Sequence, residues 1–357
     1  MKKKILIDAS NIKSTGGIVH LNSILKSYKK NKSVQIEVLV NKKAFNNLEV
    51  KKYTNKFKFI FNKAFEINFL TIFIWQILFL DKYLVKNNFT HLVSLSGYIF
   101  SSFQNTVILS QNALPFVKIK NSKLTESIKL YFQKKFHIYC IKKFRNVIFV
   151  SKFQKKIVLK GFNKNQFRSK IVYHGIDENI SYQKNKKKIS NFLYVSQKNN
   201  YKNQELLFDI FRLFEEKSIK LKLNCYGENI SSFNLKSKNI KLHKIYKSKN
   251  INKIYSKYDA FIFPSLTESF GLPLLEAAKS GLPICASNIE IFKELLNKKN
   301  LILFNPKNKN DIYKKILLLV NLDKKKINLI TKSNLRDTLK YSWNKSSRDF
   351  FDFILKI

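Results

Sequence analysis

The feature that most constrains the fold of this chain is an alternation of short apolar runs with longer amphipathic stretches, which continues through most of its 357 residues. The apolar runs read as buried strands, and stretches such as ELLFDIFRLFEEK have helical spacing between them. Such alternation predicts parallel sheets covered by helices on both faces. The predicted strands are 4–8, 34–40, 57–61, 91–96, 106–110, 146–150, 170–174, 191–196, 221–227, 240–245, 260–264, 283–287 and 301–304.

A polar, lysine-rich break at 177–190 (DENISYQKNKKKIS) separates two sections with the same rhythm of strands and helices. At about 100–200 residues per domain, the chain has room for two doubly wound, Rossmann-like α/β domains. We predict an N-terminal domain over 1–180, a second domain over 190–340, and a C-terminal helix over 341–357 that packs back toward the first. Two such domains facing a central cleft would place the carboxyl ends of their strands, where ligands bind, at that cleft.

The net charge is +45, from 68 Lys and Arg against 23 Asp and Glu, and only five of the cations are Arg. Because Arg is the residue that reads base edges and grips phosphates bidentately, a general drift toward Lys explains this charge better than nucleic-acid binding does. Affinity for an anionic membrane surface is an expected consequence. A nucleic-acid-binding protein is the weaker alternative, since the aromatic residues lie mainly in strands and amphipathic helices.

The most apolar run is 67–80 (INFLTIFIWQILFL), which is shorter than the ~18–20 residues needed to span a bilayer. A buried helix is the expected structure. The alternative is a helix lying in the membrane interface, with Trp75 and the following Lys82 and Lys86 at the headgroups.

The cysteines Cys140, Cys225 and Cys285 are far apart, and each lies in an apolar stretch. Their spacing does not match a metal site, so we expect core thiols of a reducing compartment. The first ten residues have no apolar segment long enough for a signal peptide and are better read as a first strand. We therefore predict a cytoplasmic protein, peripheral on the inner face of the cell membrane where it meets lipid.

The most informative stretch is 258–287 (YDAFIFPSLTESFGLPLLEAAKSGLPICAS). A buried strand is followed by a polar loop, then by Gly271, which permits close backbone approach, and by Pro273 in the first turn of a helix over 273–280. The N–H groups at the start of that helix form an anion site. Glu268 lies in the loop before the helix and Glu276 lies about one turn inside it.

Two acids beside a phosphate site would repel a bare phosphate, but they can accept hydrogen bonds from the hydroxyls of a ribose and a sugar. Taken singly, Glu276 is explained by the helix dipole, at about 0.3–1 kcal/mol, and Glu268 by an exposed loop. The spacing E-x7-E with FGLP inside it favours a nucleotide-sugar site.

This stretch resembles the signature of glycosyltransferase family 4, the glycosyl transferases group 1, which are retaining enzymes of GT-B fold. The resemblance implies that Glu268 approaches the donor sugar as a catalytic residue and that Glu276 binds the nucleotide ribose. It also implies donor contacts from the backbone N–H groups of Ser269, Phe270, Gly271 and Leu272.

Other segments are similar to the same family: 1–20, 147–156 (VIFVSKFQKK), 170–177 (KIVYHGID) and 191–207 (NFLYVSQKNNYKNQELL). In the first, Gly16 and Gly17 match a glycine loop near the donor phosphates. In the last, the family carries Gly-Arg and then a Lys five positions after the Arg, and the two cations bind the diphosphate.

Lys202 holds that Lys position, which implies a donor-binding and catalytic role. The Gly and Arg positions hold Ser196 and Gln197, so one cation is missing, and Lys198 is a candidate replacement. Ser196 is counted among the donor-binding residues.

Many relatives carry His-Asp or His-Asn after the strand at 106–110, where this chain has Gln111 and Asn112. Amides can bind sugar hydroxyls of an acceptor but cannot shuttle protons at neutral pH. Among the histidines, His20 and His174 are the two placed to approach the cleft.

The resemblance implies a retaining hexosyltransferase that moves a sugar from a UDP- or GDP-sugar to a hydroxyl acceptor. The preferred acceptor is a lipid-linked or growing surface polysaccharide of O-antigen or capsule type. No cofactor or metal is predicted, and no Asp-x-Asp occurs. The alternative enzyme is a nucleotide-sugar epimerase of the same build, which would need an acid or base in place of Gln111. A GxGxxG after a strand and a P-loop are both missing, which disfavours a dehydrogenase and a P-loop nucleotidase.

Overall fold

The computed structural model describes residues 3–29, 31–52, 56–118, 124–183, 188–233, 235–244 and 251–357. The strands within these ranges are β1 Lys3–Ala9, β2 Val34–Val40, β3 Phe57–Ile60, β4 His91–Ser94, β5 Thr106–Ser110, β6 Asn146–Phe149, β7 Arg168–Ile171, β8 Asn191–Val195, β9 Lys222–Gly227, β10 Ile240–Lys244, β11 Ala260–Phe263, β12 Ile284–Ser287 and β13 Ile302–Phe304.

The helices are α1 Thr15–Lys26, α2 Lys42–Asn46, α3 Ala64–Ile67, α4 Phe69–Trp75, α5 Asp81–Lys86, α6 Leu124–Phe144, α7 Lys152–Val158, α8 Gln204–Glu216, α9 Ile251–Tyr255, α10 Leu272–Ser280, α11 Glu290–Leu295, α12 Lys309–Val320, α13 Lys324–Thr338 and α14 Trp343–Leu355. A π-helical turn, Gln76–Leu80, joins α4 to α5. All thirteen predicted strands are present, each with ends within three residues of the prediction. Residue 245, the predicted end of β10, lies outside the described residues.

The strands form two sheets, and every pairing among the described strands is parallel. The first sheet has the order β3-β2-β1-β4-β5-β6-β7 and the second has the order β10-β9-β8-β11-β12-β13. In both, the strand order reverses beside a central strand, as in doubly wound folds. The predicted fold class, two Rossmann-like parallel sheets, is confirmed.

The chain divides into two compact units. The first contains the described residues up to Lys118, those from Leu124 to Gly175, and those from Tyr341 to Ile357. The second contains Ile176 to Lys340. The segment at 184–187, inside the predicted linker, lies outside the described residues.

Helix α14 packs within the first unit, as its apolar residues suggest. Trp343, Phe350 and Phe351 are buried, and Ser347 Oγ donates to the carbonyl O of Ile24, 2.8 Å away. Gly175 lies so close to the start of α14 that a Cβ there would collide with the backbone of Trp343. These contacts hold α14 within the first unit.

The apolar run at 67–80 is helical, but the expectation of a buried helix is wrong. Gln76, a polar residue of this run, faces inward and donates through Nε2 to Oδ2 of the buried Asp8, 2.8 Å away. Residues on the opposite side, such as Leu70 and Ile77, are more than half exposed. Trp75 packs edge-on against Phe65, with ring centroids 5.0 Å apart, so it is not the exposed anchor of the alternative interpretation.

Across the described ranges, no helix combines the length and the apolar character needed to cross a bilayer. The three cysteines are buried free thiols, as predicted. Burial raises the pKa of Cys140 to about 11 and raises the pKa values of Cys225 and Cys285 further. They are therefore protonated core residues.

Candidate functional site

Two of the segments singled out in the sequence meet in the second unit, because β8 and β11 are neighbouring parallel strands. Their pairing places Phe261 opposite Leu193, so the loops that follow both strands leave the same edge of the sheet. The N–H of Leu266, in the loop after β11, donates to the carbonyl O of Tyr201 in the loop after β8, 2.8 Å away. This bond ties the two loops together.

Lys202 and Glu268, one from each loop, form an ion pair. The distance between Lys202 Nζ and Glu268 Oε1 is 2.5 Å, and the two side chains are only 13% and 11% exposed. Burial acts to lower the pKa of Lys202, but the Glu268 carboxylate and Tyr201 outweigh it and raise that pKa. Lys202 is therefore a stable cation, and water screens this pair less than it would screen a surface pair.

The start of α10 lies four residues after Glu268 in the chain. Gly271, which precedes the helix, has a φ of +103°, a conformation that favours glycine, and a Cβ there would crowd the ring of Phe292. Pro273 lies in the first turn, and α10 begins at Leu272, one residue before the predicted start. The loop residues Ser269 and Phe270 connect Glu268 to this turn, and Phe270 is buried. Pro273 has no N–H, and the N–H of Leu274 donates to the carbonyl O of Gly271, 3.0 Å away. The helix therefore begins with the N–H of Leu272, four residues after Glu268.

Glu276, the second acid of the motif, is held by a tyrosine. Tyr255 is fully buried at the end of α9, and its hydroxyl donates to Glu276 Oε2, 2.8 Å away. Burial raises the pKa of Glu276 to about 7, and Asp177 adds to the rise, while the Tyr255 hydrogen bond opposes it. With a pKa of about 7, Glu276 is partly protonated near neutral pH.

The segment that lacks the Gly-Arg pair of the family is bonded to β9 and to the residues that follow β9. The N–H of Ser196 donates to the carbonyl O of Tyr226, 2.9 Å away, and a Cβ at Gly227 would collide with the carbonyl O of Ser196. Lys198 Nζ donates to Ser232 Oγ at 3.0 Å and lies 4.0 Å from the centroid of the Phe233 ring. Lys198 thus has partners other than the Lys202–Glu268 pair.

Gly16 and Gly17 lie in the first unit. They belong to the first turn of α1, where the N–H of Gly17 donates to the Oγ of the N-cap Ser14, 3.2 Å away. The glycine pair therefore lies in the first turn of a helix and not in a loop, because Ser14 caps the helix before it. A position of this pair near the donor phosphates stays a prediction. Gly16 is exposed, and a Cβ there would meet no atom within 4 Å.

Gln111 and Asn112 follow β5 in the first unit, and their side chains form hydrogen bonds with backbone groups of that unit. Gln111 Nε2 donates to the carbonyl O of Leu95, 2.8 Å away, and Asn112 Oδ1 accepts from the N–H of Leu114 at 3.1 Å. Both residues are half-buried.

His20 and His174 form a buried pair in the first unit. Their Nδ1 atoms are 3.0 Å apart, and Trp343 and Phe350 pack around His20. Burial lowers the pKa of His174 to about 3, and burial together with His174 lowers the pKa of His20 well below its usual value. Both rings are neutral and enclosed, so the interpretation that they approach a ligand is not supported.

Sequence reasoning missed two residues that shape the candidate site. Gln204, at the start of α8, donates through Nε2 to the carbonyl O of Gln197 (2.9 Å) and accepts from the N–H of Asn199 (3.1 Å), which fixes the loop before Lys202. The other is Tyr255. An aromatic residue in an amphipathic stretch ordinarily signals core packing, so no local pattern distinguished it.

The comparisons with known proteins agree with this location. Residues 176–336 match the family model described as "Glycosyl transferases group 1", so the match coincides with the second unit almost throughout. Among curated proteins, the chain is 27% identical over 174 residues to the O-antigen chain mannosyltransferase RfbU of Salmonella typhimurium, covering 46% of this chain and 48% of that protein. The chain spans about half, or less, of the length of the curated relatives it matches.

Solved structures share the fold over the whole chain. Sucrose-phosphate synthase from Thermosynechococcus elongatus aligns with a TM-score of 0.77 at 15% identity, covering 99% of this chain and 98% of that one. HepE from Anabaena, in complex with UDP-glucose, aligns with a TM-score of 0.72 at 14% identity, covering 99% and 100%. These likenesses show the fold.

Proposed function

We propose that the chain, whose residues 176–336 match the model of the glycosyl transferases group 1, transfers a hexose from a nucleoside-diphosphate donor to a hydroxyl acceptor, with retention of configuration. The observation that carries the proposal is the Lys202–Glu268 pair, which lies just ahead of the start of α10 in the matched unit. This arrangement offers one cation, one carboxylate and the positive end of the α10 dipole to a single ligand.

The proposed chemistry follows from those groups. The bond between the sugar and the diphosphate breaks as the acceptor hydroxyl oxygen bonds to the same sugar carbon, and the hydroxyl proton passes to the leaving diphosphate. Negative charge develops on the diphosphate as it leaves. Lys202 and the N–H groups at the start of α10 stabilise that charge, the kind of electrostatic effect that usually dominates such steps. Glu268 accepts a hydrogen bond from the donor sugar, and Glu276 accepts one from the ribose. Lys202 must exchange Glu268 for a phosphate oxygen when the donor binds.

We further propose that Ser269, Phe270, Gly271 and Leu272 contribute backbone contacts to the donor, together with Ser196. Two further assignments depend on the family resemblance alone. They are donor binding by Gly16 and Gly17 and acceptor binding by Gln111 and Asn112. Charge stabilisation by Lys202 and the helix needs no metal, so activity should survive a chelator.

The donor and acceptor are proposed from the relatives. HepE is a structural neighbour bound to UDP-glucose, and RfbU is an O-antigen mannosyltransferase, which uses a sugar of the class we propose. We propose a UDP- or GDP-hexose as donor and a lipid-linked or growing surface polysaccharide as acceptor. Such an acceptor would place the protein at the cytoplasmic face of the cell membrane.

The test is a binding and turnover series. Wild-type protein should melt at a higher temperature with one class of UDP-, GDP- or ADP-hexose, because a ligand that binds only the folded state stabilises it. Lys202→Gln and Glu268→Gln should each lower kcat by about 10²- to 10³-fold, the usual effect of losing one group that stabilises the transition state.

The matched control is Lys220→Gln, which removes an exposed lysine of the same unit. It should leave kcat within about twofold, as expected of a surface substitution away from the site. Normal turnover in both site variants would refute the assignment of the site, and no melting shift with any nucleotide-sugar would refute the proposed donor class.

A further inference from the structure

The first unit exposes an unusual amount of apolar surface on two of its helical segments. Of the seventeen large apolar side chains exposed in the described residues, thirteen lie in the segment 67–85 or in α6. Leu70 and Ile77 represent the first segment, and Tyr131 and Phe132 represent the second, each more than half exposed. We call the exposed apolar side chains of these two segments the two-helix face. A contiguous apolar surface of this size marks a binding site for a partner or a membrane.

The outward orientation of the first segment is fixed by a buried polar contact. Gln76 donates to Asp8, which is itself 1% exposed, and accepts from the N–H of Phe100 at 3.3 Å. Rotating the helix to bury its outer side would leave a buried carboxylate without this partner, at a high cost in free energy. The apolar side is therefore held outward by the fold.

The two segments are parts of one surface. Phe69 and Phe136 contact each other, with ring centroids 6.3 Å apart, and Phe136 stacks on Phe132 at the same distance. Beside the first segment lies an open apolar groove of about 520 Å³, lined by residues that include Ile74, Trp75 and Phe79. The two-helix face thus combines protruding side chains with a recess.

Lysines are interleaved with these apolar residues. Seven exposed lysines occur on α5 and α6. Lys135 lies 5.4 Å from the ring centroid of Tyr131, and Lys143 lies 5.7 Å from that of Tyr139. Among the acids nearby, Asp81 already accepts hydrogen bonds from Ser101 and Ser102. Apolar and aromatic bodies with cationic ends around them are typical of side chains at the boundary between lipid and water.

From this juxtaposition we propose that the two-helix face docks on an anionic phospholipid bilayer. The apolar side chains enter the boundary of the acyl chains while the lysines contact the headgroup phosphates. A second copy of the chain is a poorer occupant, because a two-fold interface would place the seven lysines of one copy against the same seven of the other. The inference is independent of the proposed reaction, since docking needs no donor.

The test is flotation of the full chain with vesicles of phosphatidylethanolamine and phosphatidylglycerol, compared with phosphatidylcholine alone. We expect the anionic vesicles to bind the protein at least about tenfold more strongly, with the preference shrinking as salt rises. Two double variants probe the face: Ile77→Gln with Leu78→Gln, and Tyr131→Gln with Phe132→Gln. Each should weaken partition by about tenfold or more.

The matched control is Leu329→Gln with Leu339→Gln, which removes two exposed leucines from the second unit. It should leave partition within about twofold. Lys82→Gln with Lys86→Gln should weaken binding to anionic vesicles, whereas Lys324→Gln with Lys325→Gln on α13 should not. Melting temperatures and donor binding report on the fold of each variant.

Equal flotation of the face variants, the control and the wild type would overturn the proposal. It would also be overturned if the wild type ignored vesicles and light scattering showed a dimer that the face variants abolish, because a second copy would then occupy the face. Loss of vesicle binding in the face variants, with donor binding intact, supports the proposal. A failure of the donor experiments leaves this outcome unaffected.

Discussion

At the scale of single residues, the candidate site is built from pairs. Lys202 is held by Glu268, and Glu276 is held by Tyr255. The motif spacing predicted both acids but not Tyr255. The tyrosine lies 21 positions before Glu276, in a stretch that looks like ordinary core. Lys202 was found by its register within the segment after β8, since one lysine in so basic a chain has no other distinguishing feature.

The Tyr255 contact predicts a change in pH dependence. Its hydroxyl stabilises the Glu276 carboxylate and so opposes the rise of the Glu276 pKa to about 7. In Tyr255→Phe that opposition is lost and the pKa rises further, so the carboxylate form needed to accept from the ribose appears only at higher pH. The KM for the donor, measured from pH 6 to 9, should improve with rising pH in both proteins, with the midpoint displaced upward in the variant.

A matched control for this substitution is Tyr313→Phe, at a half-buried tyrosine on α12 of the same unit. It should leave the midpoint where the wild type has it. Identical KM profiles for Tyr255→Phe and wild type would show that the tyrosine does not position Glu276.

At the scale of secondary-structure elements, the strands were predictable because each is a short, nearly continuous apolar run that both faces of a parallel sheet bury. Helix α1 differs from the prediction because Ser14 caps it before the glycine pair. The orientation of the apolar segment at 67–80 could not be read from sequence, because the segment is apolar on every side. The two tertiary hydrogen bonds of the buried Gln76, to Asp8 and from the N–H of Phe100, fix it.

The bond to Asp8 yields a stability prediction. Gln76→Ala leaves the buried Asp8 carboxylate without one of its donors, which should lower the free energy of unfolding by about 1–3 kcal/mol. Urea denaturation followed by circular dichroism measures the loss. Gln104→Ala, at an exposed position of the same unit, should change it by less than about 0.5 kcal/mol. Equal effects of the two substitutions would count against the role of Gln76.

At the scale of the whole molecule, the sequence indicated two similar sheets, and the structure has two, of seven and six strands. Strand order was not deduced from sequence, since it depends on which crossovers the helices make. The two units differ in their buried titratable groups. In the first, burial lowers the pKa values of His20, His137 and His174 and raises that of Asp8. In the second, burial raises the pKa of Glu276 and lowers that of the less enclosed His243.

These groups predict opposite responses to acid. A buried histidine with a lowered pKa binds protons in the unfolded state first, so the first unit should lose stability as pH falls from about 6.5 toward 3. Glu276 binds a proton more readily in the folded state, so its contribution destabilises the second unit as pH rises from about 4.5 to 7. Three fully buried histidines outweigh the one Asp8 in the first unit, so hydrogen exchange read by mass spectrometry at pH 7 and 5 should show opening that is accelerated at pH 5 more in the first unit than in the second. Faster opening at pH 5 confined to the second unit would contradict this.

The central claim is that a nucleotide-sugar binds where Lys202, Glu268 and the start of α10 meet. A crystal structure of the chain with a UDP- or GDP-hexose tests it most directly. The account predicts the diphosphate against the first N–H groups of α10, with Lys202 Nζ on a phosphate oxygen and no longer on Glu268. A nucleotide bound elsewhere, with the 2.5 Å Lys202–Glu268 pair still intact, would contradict it.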